Sequence, residues 1–216
     1  MKHKTLVASL LPVIGLSAVI GLALQSRPAS SATAGAVQAG ETQAADTPTA
    51  APPALDAQIA RGKYMVTVCG CNDCHTPLKM GDAGPEPDYS RMLSGHPESL
   101  VMPSAPTLPP GPWNTSVAAT LTAWSGPWGV SFTANLTPDK ETGLGDWTAR
   151  TFTDAIRTGR HQGRGRPILP PMPIAMYKHL TDEDLNAIFA YLQSIPAIRN
   201  KVPEPLPPPE ATAEAQ

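Results

Sequence analysis

Hydrophobic and polar positions alternate with a helical period in three places along the chain, and between them the pattern dissolves into proline and glycine. Asp56 can cap a helix running from Ala57 to Val66, in which Ile59, Gly62, Tyr64 and Val66 supply one packed face. Gly62 costs such a helix about 1 kcal/mol relative to alanine, which fits either close approach of a second helix or simple tolerance. Thr148 is a good N-cap for a helix from Ala149 through Phe152, Ala155 and Ile156, ending where Gly159 can turn left-handed. The clearest pattern comes last. Thr181 caps it, Asp182, Glu183 and Asp184 suit its positive end, and Leu185, Ile188, Phe189 and Leu192 follow at helical spacing up to Pro196.

The stretches between these helices read as ordered loops: Thr76 to Val130 repeats proline and glycine without a sustained period, and so does Arg160 to Pro173. Before the first helix, Lys2 and Lys4 precede an uncharged apolar run from Leu6 to Leu24. Residues 1–27 therefore predict either a cleaved signal peptide or a retained membrane anchor, and both place the remainder of the chain in the periplasm or otherwise outside the cytoplasm. Residues 28–54, nearly all Ala, Ser, Thr, Gly, Pro and Gln, predict a disordered linker, and residues 202–216 a disordered tail. One domain over residues 55–201 remains, and its pattern predicts an all-α fold of few helices and long loops.

Composition sharpens this. Of 216 residues, 26 are proline and 17 glycine, 41% are hydrophobic but only 5% aromatic, so few large rings are available to fill a core. A buried cofactor would supply the missing apolar bulk. The formal net charge of -2 gives no basic surface for nucleic acid. All three cysteines, Cys69, Cys71 and Cys74, fall within six residues, too close together to staple distant parts of a fold.

Cys71-Asn72-Asp73-Cys74-His75 has the spacing C-x-x-C-H. Covalent haem attachment needs two thiols to add to the porphyrin vinyl groups and an imidazole beside the second thiol to reach the iron, and this spacing supplies all three. Cys71 and Cys74 are thus the expected thioether residues and His75 the proximal ligand. A thiol redox pair of this spacing would sit near a βαβ pattern, which is not visible, and a zinc site would need a second Cys or Cys/His pair. Cys69 reads as a small buried hydrophobe.

Beyond the motif, IARGKYMVTVCGCNDCHT at residues 59–76, NLTPD at 135–139, ETGLGDWT at 141–148 and LPPMPIAMYKHLTDEDLNAIFAYL at 169–192 resemble the cytochrome c family, class I fold. The pattern is most similar to the haem modules of cytochrome c subunits that serve membrane-associated alcohol and aldehyde dehydrogenases. It differs in carrying a single C-x-x-C-H and in the length of its 77–130 insert. The single motif gives one haem c, and the resemblance implies a methionine as the second axial ligand and no catalytic residue of the chain's own. Met172, between Pro171 and Pro173, matches that methionine, with Met176 as runner-up and Met80, Met92 and Met102 as core filler. His161 and His179 fit either iron coordination, with a lower potential, or the commoner role of a surface or hydrogen-bonding residue. Trp113, Trp128 and Trp147 fit either a haem wall or ordinary packing, and Arg160, Arg164 and Arg166 either a propionate or partner contact or a solvated loop.

The implied function is a periplasmic one-electron carrier meeting redox partner proteins: a dehydrogenase, an oxidase or another cytochrome of the respiratory chain. Residues 6–24 would be its membrane tether, if retained. The alternative is a haem enzyme whose sixth position is open or displaceable, as in peroxidase-like or sulfur-oxidising cytochromes.

Overall fold

The computed structural model describes residues 55–208. The expected signal or anchor, the expected linker and residues 209–216 lie outside the described residues. Among the described residues no helix is long and apolar enough to cross a membrane.

Helix α1 (Leu55–Val68) and the last long helix, Asp182–Ser194, form the frame. They cross at Gly62, where an added Cβ would lie 1.9 Å from the Ala187 carbonyl oxygen. The absence of a side chain there lets two backbones meet, so the glycine marks a helix crossing. The crossing buries Val66 against Leu185, Ile188 and Leu192 in one apolar cluster. Arg61 donates twice to Asp184 Oδ1, at 2.9 and 2.8 Å, across the same pair. A third helix, Ala149–Thr158, adds Phe152 and Ile156 to the cluster, and the rings of Phe152 and Phe189 stand 5.6 Å apart. Its ends are those the sequence predicts: Thr148 accepts from the Thr151 amide, and Gly159 turns left-handed at φ 66°.

The expectation of an all-α fold is corrected by two small antiparallel sheets. β1 (Leu78–Gly81) pairs with β2 (Gly84–Pro87), while β3 (Ser116–Val117), β4 (Ala123–Gly126) and β5 (Gly129–Phe132) form a three-stranded sheet in that order. Both hairpins close through two-residue turns whose flanking Gly84 and Gly129 take φ of 123° and 94°. The strands hold two to four residues each, too short for a period-2 pattern to register. In β5 the buried positions are Gly129 and Ser131 while Val130 and Phe132 are half-buried, so its alternation is the reverse of an apolar inner face.

The buried Asn200 side chain holds the insert to the segment that follows the last long helix. Asn200 accepts from Arg91 Nη2 and the Glu98 amide, both at 2.8 Å, and donates to the carbonyls of Ser94 and His96 at 2.7 and 2.8 Å. His96 is fully buried between Thr122 Oγ1 and the Leu100 carbonyl, each 3.0 Å away, and burial pushes its pKa below the ordinary value. Backbone pairing continues past residue 201, for Leu206 and Val130 exchange two hydrogen bonds of 2.9 Å.

Candidate functional site

The site begins where α1 ends. The Cys69 amide closes on the Met65 carbonyl at 2.8 Å, and Gly70, at φ 67° and ψ 27°, turns the chain left-handed into a one-turn helix α2 (Cys71–His75). A side chain at that φ would be strained, so the glycine sets the direction of the motif. Cys71 and Cys74 are half-buried on this single turn, neither is in a disulfide, and Cys71 packs against the apolar cluster.

His75 is only 8% exposed. Its Nδ1–H donates to the Ala134 carbonyl at 2.7 Å, which fixes the tautomer and leaves Nε2 as the free lone pair. Nε2 has no hydrogen-bond partner among the described residues. Burial pushes the His75 pKa down, which favours the neutral, ligating form. Further bonds hold the turn: Gly95 donates to the His75 carbonyl at 2.8 Å, and Thr76 Oγ1 donates to Asn72 Oδ1 and accepts from the Leu93 amide, both at 2.9 Å.

The surroundings of the thiols disfavour the thiolate form. Burial above all pushes the Cys71 pKa up to about 12, and burial also raises those of Cys74 and Cys69. The described residues do not gather three or more His, Cys, Asp or Glu side chains around one metal position.

Met172 lies in a segment that leads into a short helix, α4 (Ile174–Tyr177), with the last long helix following as α5 and Ala149–Thr158 as α3. Met172 packs against the same apolar cluster as Cys71, whereas Met176 points into solvent and is 71% exposed. Met80 is exposed, Met92 packs on the cluster, and Met102 lines a separate cleft beside Leu100 and Trp124. Trp147 lies on the cluster with His161 edge-on to it at 5.2 Å, Trp128 Nε1 donates to Ser131 Oγ at 3.3 Å, and Trp113 is exposed. His179 is exposed too. Among the three arginines, Arg160 donates to the Gly165 carbonyl, Arg166 pairs with Glu204 at 3.1 Å, and Arg164 is exposed, which is the arrangement of a solvated loop. Three contributors carry no sequence signal: the Ala134 carbonyl, Ser131, and Tyr177, whose hydroxyl donates to the Cys69 carbonyl.

No family model matches the chain. Its curated relatives include the cytochrome c subunit of a quinone alcohol dehydrogenase from Gluconobacter oxydans, 28% identical over 157 residues, which are 71% of this chain and 25% of the relative. A gluconate 2-dehydrogenase cytochrome c subunit from Pantoea cypripedii is 28% identical over 138 residues, 64% of this chain and 23% of that one. The chain is a relative of dehydrogenase cytochrome c subunits. The fructose dehydrogenase cytochrome subunit of Gluconobacter japonicus is 37% identical over 59 residues, 27% of this chain and 12% of its own length. This chain thus spans a quarter or less of each of these relatives. Haem c, which their kind implies, fits the donor set found here. Two thiols free of disulfides sit three residues apart on one helical turn, beside an imidazole whose Nδ1 is engaged and whose Nε2 is not.

Proposed function

We propose that the chain is a periplasmic c-type cytochrome holding one haem and passing single electrons between an extracytoplasmic dehydrogenase and the respiratory chain. In this reading α1, α3 and α5 are the helical frame of a cytochrome c fold and the sheets are additions to it. Cys71 and Cys74 would anchor the haem, while His75 and Met172 would ligate its iron. The haem supplies the one-electron iron couple, and a methionine sulfur opposite a histidine raises its potential. The chain binds, orients and shields, with no residue acting as nucleophile or base. The observation that carries the reading is the His75 imidazole, held through Nδ1 by the Ala134 carbonyl one residue after Cys74. Export would follow from the apolar run at residues 6–24, as signal peptide or tether.

The test is the visible spectrum of the chain matured with c-type haem machinery, before and after Met172→Ala. The reading expects a low-spin spectrum with a long-wavelength methionine–iron band that the substitution abolishes while the haem stays attached. It also expects the reduction potential to fall, on a scale where axial ligation spans about 0.8 V. A high-spin spectrum of the unsubstituted chain would point instead to an iron with an open sixth position, and a band that survives the substitution would remove Met172 from the ligand set.

A further inference from the structure

The segment carrying Met172 has few bonds of its own to the rest of the domain. Between Pro170 and Tyr177 its backbone hydrogen bonds are local: the Met172 amide reaches the Leu169 carbonyl at 3.3 Å, the Ile174 amide the Met172 carbonyl at 2.9 Å, and the Tyr177 amide the Pro173 carbonyl at 3.1 Å. Two side-chain hydrogen bonds tie it to the rest of the domain. Two residues before Met172, the Pro170 carbonyl accepts from Ser131 Oγ at 2.5 Å. Five residues after it, Tyr177 donates its hydroxyl to the Cys69 carbonyl, two residues before Cys71.

Neither fastening is incidental to the site. Ser131, only 7% exposed, lies in β5, and three residues further along the same run the Ala134 carbonyl holds the His75 imidazole. One short stretch, residues 131–134, therefore grips His75 through a main-chain oxygen and the Met172 segment through a hydroxyl. Trp128 Nε1 donates to Ser131 Oγ, whose own proton has the Pro170 carbonyl at 2.5 Å as a much nearer acceptor than the Trp124 carbonyl at 3.5 Å. Tyr177 joins the same segment to the stretch from which α2 springs, so the methionine loop is tied to the attachment turn as well. The end of α4 is held independently, by Arg157 donating to the Lys178 carbonyl.

We infer that Ser131 and Tyr177 are positioning residues which fix the Met172 sulfur in register with His75, and that β5 serves to carry the first of them. This rests on the reading of Met172 as the second axial ligand. A sulfur held in place competes with any added ligand for the iron, so loosening its segment makes displacement easier.

The experiment is imidazole titration of the ferric, haem-loaded chain and of Ser131→Ala, Tyr177→Phe, their double variant and Met172→Ala, each with a thermal melt. Both single substitutions remove only a hydroxyl. Each is expected to raise the apparent imidazole affinity about fivefold, the equivalent of one hydrogen bond, and the double variant to exceed either. Met172→Ala is expected to bind tightest of all. Melting temperatures that fall while imidazole affinity stays that of the unsubstituted chain would overturn the inference and leave both residues purely structural. Met172→Ala binding imidazole no more tightly than the unsubstituted chain would overturn the ligand assignment, and the inference with it.

Discussion

Replacing Cys71 and Cys74 together by alanine is expected to yield a chain that keeps no haem after denaturation, whereas the unsubstituted chain keeps its haem through the same treatment. The two thiols are half-buried, free of disulfides and on one turn of α2, so each is available to form one thioether. Either single substitution should leave one bond and a haem that survives denaturation in lower yield. The double variant should also lose stability. With aromatics at 5% of residues, and with Cys71, Leu136 and Met172 only partly covered at the edge of the apolar cluster, a haem held by the two thiols would add apolar bulk on this side of the core. Loss of a tightly held group costs a few kcal/mol, which for a domain of this size lowers the melting temperature by about 10 °C. Haem-stained denaturing gels and thermal melts measure the two effects, and haem retained by the double variant would remove both cysteines from the site.

Gly62→Ala should be nearly as damaging to the fold as the cysteine pair is to cofactor retention. On helix propensity alone the change would stabilise α1 by about 1 kcal/mol. The new Cβ, however, would meet Ala187 O at 1.9 Å, Ala187 C at 2.6 Å and Tyr191 Cβ at 2.8 Å. Two of those atoms are backbone, so the only relief is for α1 and α5 to separate, which opens the Val66, Leu185 and Leu192 contacts. A net loss of about 3 kcal/mol is expected, read as a lower denaturant midpoint. Gly111→Ala is the control: its Cβ would find nothing nearer than the Pro109 carbonyl at 3.9 Å, and its effect should stay within about 0.5 kcal/mol. A Gly62→Ala chain as stable as the control would mean that the helices do not meet there.

The difference between these two glycines is also the difference between what the sequence discloses and what it does not. α1, α3 and α5 are legible because a helix of ten or more residues repeats its apolar face several times, and because Thr148, Gly159 and Thr181 punctuate the ends. α2 and α4, with five and four residues, complete about one turn each and show no period. The C-x-x-C-H spacing is visible in the sequence itself, and the structure adds that its two thiols and imidazole share the single turn of α2. The supports of these side chains are not visible there, because a carbonyl such as that of Ala134 belongs to every residue, and because Tyr177 meets Cys69 across 108 positions of sequence. The sheets escape for a third reason. Ser131 and Gly129 face inward in β5, the first to make hydrogen bonds and the second to let the backbone of Leu206 approach, so strand propensity and burial point in opposite directions.

We propose that Cys71 and Cys74 carry a covalent haem. This is tested most directly by the intact mass of the full chain, produced with c-type haem machinery and measured after denaturation. One species heavier than the polypeptide by a single haem is expected. A mass equal to that of the bare polypeptide, with both thiols free to alkylate, would contradict it.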